Sequence, residues 1–217
     1  MRGDPIRASV LCAKLIPNAD AAYLKELGLP QEKRSLGLIT ADSDDVAYLA
    51  LDEATKKADV SVAYAKSLYA GAGNASTRLA GEFIGILAGE TPEEVRSGLE
   101  AAQRFIREGA CFYSADEKDE IVYFAHCVSR TGSFLSASAG VNEGAPLAYL
   151  IAPPAEALYA LDFALKAADV RLALFYGPPT ETNFAGGLLT GEQSACKAAC
   201  EAFAEAVCRV AESPLDY

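Results

Sequence analysis

The chain has 217 residues, 19 basic against 30 acidic side chains and a formal net charge of −11. Its 51% apolar content is too high for a disordered chain, and the acidic balance disfavours a nucleic-acid partner, whose phosphates require a basic face. The length admits one large domain or two small ones, while 17 Gly and 10 Pro are ordinary numbers that exclude a collagen-like or linker-like sequence.

The elements follow in chain order. The opening MRGDPIRASVLCAKLIPN has neither the continuous apolar stretch nor the cleavage site of a secretory signal. No run approaches the roughly 18–20 apolar residues needed to span a bilayer. Ser35–Thr40 alternates and predicts a strand. Asp42-Ser43-Asp44-Asp45 then offers cap chemistry, since a side-chain oxygen can accept from free backbone N–H groups and carboxylates suit the positive helix end. The helix it opens runs to about Ala58, with Val46, Leu49 and Leu51 for a core and small Ala50, Ala54 and Ala58 for close packing. Val60–Ser67 reads as a strand, Tyr69–Thr77 (YAGAGNAST) as a Gly/Asn/Ser loop and Phe83–Leu87 as a strand. Thr91 caps and Pro92 opens a second helix, which reaches about Arg107. The same order then returns: strand near 147–152, helix 155–168, strand 170–176, loop 177–183, strand 184–189, helix 192–211. Alternating strands and helices with hairpin-like pieces predict an α+β (α/β) sandwich, helices on one side of a mostly antiparallel sheet.

The return is a repeat. ALDEATKKADV (50–60) and ALDFALKAADV (160–170) are identical at eight of eleven positions, at an offset of 110. SLGLITA (35–41) lies opposite PLAYLIA (146–152), LAG (79–81) opposite FAG (184–186), LAGE (87–90) opposite LTGE (189–192), and AKLI (13–16) opposite AHCV (125–128). Collinear matches of this kind mark two copies of one unit, with expected bounds 1–112 and 113–217.

Catalysis finds little support. The single histidine, His126, lies in the apolar stretch YFAHCV, where a satisfied structural role is the simpler reading, and no nucleophile–base constellation can be built around it. The six cysteines, 12, 111, 127, 196, 200 and 208, form no dense disulfide framework, and most sit in apolar stretches, which favours small buried hydrophobes in a reduced, cytosolic protein. Cys196 and Cys200 are one helical turn apart, with Cys208 continuing that face. They read as core, although the spacing could also hold two corners of a zinc site.

The residues also carry a resemblance. SLGLITADSDDVAYLALDEATKKADV resembles the opening strand and helix of a bacterial microcompartment (BMC) shell domain, and the glycine-bearing loop 69–77 falls where that family has its pore loop. LCAKLIPNADAAYLKELGLP is similar to the family's closing strand and short helix, yet it comes first here, and AHCVSRTGSFLSASAG (125–140) likewise precedes the second copy. The chain thus resembles a tandem of two circularly permuted BMC domains. SLYAGAG, VSRTGSFLSASAG, APLAYLIAPP, PPTETNF and LTGEQSACKAAC resemble the tandem shell proteins of ethanolamine-utilising microcompartments. The resemblance implies a non-enzymatic homotrimer that mimics a flat hexamer and tiles with other microcompartment shell proteins. It also implies a gated central pore for metabolites or cofactors and smaller pores that bind ethanolamine. No cofactor is required by it; zinc or cobalamin binding is a further family-level implication.

An ethanolamine site needs carboxylates for the ammonium, acceptors for the hydroxyl and an apolar wall. Asp44, Asp45 and Glu82 supply the first, and the second copy lacks them: Pro153-Pro154-Ala155 replaces the aspartates and Gly187 stands near the place of Glu82. Capping alone also accounts for the aspartates. By the resemblance, the candidates are Asp44, Asp45 and Glu82, with Phe112 as a wall and Thr182 and Asn183 from the second loop. The candidate gate comprises Tyr69, Gly71, Gly73 and Asn74 of the first loop and Pro178 and Pro179 of the second, glycine permitting hinge movement and proline stiffening. Plain surface connections are the alternative for both loops. At the level of the whole chain, the alternative to a shell tile is an ethanolamine-sensing module whose assembly is incidental.

Overall fold

A computed structural model of the chain describes residues 1–69 and 79–216. The chain divides into two units, one of Arg7–Ala110 with Gly132–Leu135 and one of Met1–Ile6, Cys111–Thr131 and Ser136–Tyr217. They are called here the N-terminal and C-terminal units. Strand β1 (Pro5–Ile6) joins the C-terminal unit. The N-terminal unit then follows as β2 (Val10–Ile16), α1 (Ala21–Glu26), β3 (Ser35–Ala41), α2 (Asp44–Lys57), β4 (Ser61–Ser67), β5 (Phe83–Gly89) and α3 (Pro92–Glu108). Its strands pair antiparallel in the order β2-β3-β5-β4.

The C-terminal unit contains β6 (Phe112–Ser114), β7 (Val122–Val128), most of α4 (Ser133–Ala139), β8 (Leu147–Ala152), α5 (Pro154–Ala167), β9 (Val170–Tyr176), β10 (Ala185–Gly191) and α6 (Gln193–Glu212). Its sheet runs β1-β6-β7-β8-β10-β9, so β7-β8-β10-β9 repeats β2-β3-β5-β4. The register supports the repeat in detail: Ile16 lies opposite Leu36 as Val128 lies opposite Leu147, which upholds the weak AKLI/AHCV match. The 110-residue offset is not constant. Phe83 and Ala185 open equivalent strands, opposite Ala41 and Ala152, so the offset has fallen to 102 by that point. The LAGE/LTGE match agrees with this, but LAG (79–81) and FAG (184–186) are out of register, because the connection before β10 is shorter than that before β5.

The sheet of the N-terminal unit carries buried side chains on both faces. Residues α2 and α3 turn inward meet one face, where Gly37 of β3 lets α3 approach: a Cβ there would lie 2.8 Å from Leu99 Cγ and from Val95 Cγ1. On the other face Leu24 of α1 packs with Leu36, Ile86 and Ala88, joined by Ile16, Leu27, Leu29 and Ala63. The expectation of helices on one side therefore holds for the two long helices and fails for α1. A single buried side chain on a six-residue helix carries no periodicity from which to choose a face. In the C-terminal unit Ala148, Leu150 and Ala152 alternate along β8 into one core with Ala157, Ala160, Leu161 and Ala164 of α5 and Cys196, Ala199, Cys200 and Phe203 of α6.

Helix starts differ in their chemistry. Thr91 caps α3 as expected, its Oγ1 accepting from Glu94 N–H at 3.2 Å, with Pro92 at the first turn. Ser43 precedes α2 without a side-chain cap bond. Asp42 instead accepts from Ser9 N–H at 2.6 Å, which ties the helix start to the segment before β2.

Candidate functional site

Asp44 and Asp45 lie in the first turn of α2, buried at 7% and 6% exposure. Two carboxylates are tolerated there because the free N–H groups and the dipole of the helix favour negative charge. Asp44 Oδ1 accepts from Asp45 N–H at 2.9 Å, so the pair is held by its own backbone. Glu82 sits one residue before β5. Its backbone is fixed on both sides, N–H to Ala41 C=O at 2.9 Å and C=O from Leu68 N–H at 2.7 Å. Gly81 makes this possible. It has φ +61°, and any Cβ there would collide with the Ala41 carbonyl oxygen.

Electrostatics joins these groups. Burial pushes the Glu82 carboxyl up to about 7, and the charges of Asp44 and then Asp42 push it in the same direction. Three of the predicted or neighbouring acids thus act on one another within the N-terminal unit. Tyr48, one helical turn after Asp44, was not singled out from the sequence. Its hydroxyl shares a 2.9 Å hydrogen bond with Ser67 Oγ, its ring meets Phe83 edge-on at 4.9 Å, and burial raises its own pKa, aided by Asp44 and Asp45. The available signal was its i, i+4 spacing from Asp44 on the helix.

The remaining candidates belong to the C-terminal unit. Phe112 opens β6, with ring centroids 5.1 Å from Phe124 and 5.8 Å from Phe184. Thr182 is buried, and its hydroxyl lies 3.5 Å from that of Thr180. Thr180 Oγ1 also accepts from Phe184 N–H at 3.1 Å, and Asn183 N–H donates to Thr180 C=O at 3.0 Å. Asn183 has φ +65°, in the position equivalent to Gly81. The residue that stands in the place of Glu82 is consequently Phe184, not Gly187, which lies inside β10. The acidic position of one copy is aromatic in the other.

Tyr69, two residues after the end of β4, is 63% exposed. Gly71, Gly73 and Asn74 lie outside the described residues. Pro178 and Pro179 lie in the β9–β10 connection and are joined by a cis peptide. His126 stacks on Phe124 at 6.0 Å within β7. Cys196, Cys200 and Cys208 are buried in the apolar core of the C-terminal unit, and burial pushes the Cys196 and Cys200 thiols up. That is the setting of a core thiol.

The fold and this site can now be set beside known proteins. The BMC domain model matches residues 35–116, which span β3 to just beyond β6. The matched span covers most of the N-terminal unit, whose strand order β2-β3-β5-β4 recurs in the C-terminal unit as β7-β8-β10-β9. The bacterial microcompartment shell protein EutL of Clostridium perfringens is 64% identical over the whole of both chains. EutL of Escherichia coli is 52% identical, over 98% of this chain and 97% of its own. The crystal structure of the ethanolamine utilization protein EutL from Leptotrichia buccalis superposes with a TM-score of 0.98 at 68% identity, each chain covered completely. The chain belongs to the EutL family of bacterial microcompartment shell proteins. The Clostridium perfringens and Escherichia coli relatives are both named as shell proteins.

Proposed function

We propose that this shell protein works as a homotrimeric tile, docked to other shell proteins, with a central pore gated by the connections at Tyr69–Asn74 and Pro178–Pro179 and with an acidic pocket that takes ethanolamine. The observation that carries the ligand assignment is the cluster of Asp44, Asp45 and Glu82, made in one copy of the repeat and replaced by Pro154, Ala155 and Phe184 in the other. Packing needs alone would treat both copies alike. A carboxyl raised by burial and by a neighbouring aspartate, as Glu82 is, gains most from a cation, because an ammonium relieves both the desolvation and the repulsion. Tyr48 adds a neutral ring and hydroxyl beside the aspartates. Phe112, Thr182 and Asn183 extend the proposal, as wall and hydroxyl partners to be tested by single alanine variants.

Calorimetric titration of ethanolamine decides it. Asp44→Ala with Glu82→Ala abolishes the binding heat while light scattering still reports the trimer. Unchanged affinity in that variant would remove the acidic cluster from the ligand site.

A further inference from the structure

The two copies of the repeat close the groove between their long helices differently. The ALD motif matches α2 to α5 at an offset of 110. Helices α3 and α6 match at 101, from Thr91 and Glu192, which each precede the first helical residue. At that offset Val95, Leu99, Ala102 and Ile106 are buried as Cys196, Cys200, Phe203 and Val207 are. One face of α2 is already taken, since the buried Asp52 accepts from the Gly132 and Leu135 N–H groups at 2.7 and 2.8 Å. The copies differ on the side toward α3.

In the C-terminal unit the groove is filled from within. The Phe163 ring of α5 packs on the core and lies 4.7 Å from the Tyr159 ring. Arg209 of α6 reaches over it, the guanidinium carbon 5.3 Å from the ring centroid, and Glu205 holds that guanidinium at 3.0 Å. Ring, cation and carboxylate together occupy the space.

In the N-terminal unit the same three positions are Glu53, Glu108 and Arg104. The ring is absent and the two charges have changed places. A pocket of about 400 Å³ lies there, with Ala101 and Phe105 in its apolar lining and Glu53, Lys57, Arg104 and Glu108 in its charged lining. Glu53 pairs along its own helix, with Lys56 at 2.5 Å and Lys57 at 3.7 Å, and does not stand in for the ring. Order along the helix decides the other two. Glu205 precedes Arg209 by four residues, the favourable sense, whereas Arg104 precedes Glu108, the unfavourable one. Among the described residues Arg104 and Glu108 make no ion pair, so the Glu108 carboxylate is available to an occupant of the pocket.

We propose that this pocket binds a small arylalkylammonium ion, an aromatic ring joined to a cation by a short chain. The ring takes the place that Phe163 fills in the other copy, against Ala101 and Phe105, and the ammonium donates to Glu108 as Arg209 does to Glu205. Burial of the ring supplies attraction that is independent of charge, and the carboxylate selects the cation. Ethanolamine has no ring and gains only the second part.

Phenethylamine, a cation at pH 7, is the probe, titrated by calorimetry into the full chain, with phenethyl alcohol and phenylacetate as its neutral and anionic counterparts. The amine is expected to bind at least tenfold more tightly than the alcohol, and phenylacetate not at all. Glu53→Phe, which restores the ring of the other copy, is expected to abolish binding. Glu108→Gln, an isosteric change at an exposed position, is expected to bring the amine down to the affinity of the alcohol, and it decides the matter should Glu53→Phe fail to fold. No binding of the amine, equal affinity for amine and alcohol, or an affinity unchanged in Glu108→Gln each overturns the assignment and leaves the shell-tile reading standing. Binding that survives Glu53→Phe also overturns it, and moves the ion to the acidic cluster at Asp44 and Glu82.

Discussion

Within the proposed site, Glu82 is the side chain on which pH acts. Its carboxyl titrates at about 7 in the folded protein, against 4.5 for an unburied glutamate, with burial as the main cause. A group raised in this way stabilises the fold below pH 4.5, and that contribution is lost as pH rises through 7, because the native state then has to ionise a carboxyl it prefers protonated. Glu82→Gln removes this loss. Chemical denaturation is expected to show the variant equal to the parent near pH 4.5 and more stable by about 2 kcal/mol at pH 8, after discounting for partial exposure. The proposed ethanolamine site predicts the opposite slope for binding. Ethanolamine stays cationic across this window, so its affinity is expected to rise roughly tenfold between pH 6 and pH 8 as Glu82 ionises. Titrations at the two pH values measure it, and the slope vanishes in Glu82→Gln. Asp44 and Asp45 were legible as acids at a helix start missing from the second copy. The identity of Glu82's counterpart was not, because eight residues drop out of the offset in the connection before β10, and the out-of-register pairing of LAG (79–81) with FAG (184–186) points to Gly187.

At the scale of elements, the sequence was read well wherever a full period repeats. The strands at 35–41, 61–67, 147–152 and 170–176 and the four long helices fall within a residue or two of expectation. Short pieces defeated it. Helix α1 went to the opposite face of its sheet, and residues 132–135 belong with the N-terminal unit although they lie deep in the second half of the chain. Nothing in VSRTGSF states that its N–H groups seek Asp52; that depends on a surface presented by another helix. The consequence is measurable. Asp52→Ala leaves the Gly132 and Leu135 N–H groups unpaired in a buried setting and is expected to cost about 2–4 kcal/mol of unfolding free energy. Asp162→Ala, at the matching but exposed position, is expected to change the stability of the single chain by no more than about 0.5 kcal/mol.

For the whole molecule the surplus of acidic side chains is a property of its exposed surface as well as its site. Chains of net charge −11 repel, and the repulsion acts over about 10 Å at ordinary salt. Light scattering is therefore expected to show tighter self-association at 300 mM than at 20 mM salt. Uniform weakening by salt would instead place ion pairs between copies. Two copies of one ancestral unit were plain from sequence, since eight identical positions in eleven survive. That Asp52 is buried and Asp162 exposed was not, because they are the same letter in the same motif.

The segment 132–135 also acts as a built-in ligand of α2. Its contact at Asp52 is intramolecular and holds at any dilution, like a ligand tethered at high effective concentration. A chain cut between Ala110 and Gly132 would keep that contact only by mass action, and would lose it as the two pieces are diluted.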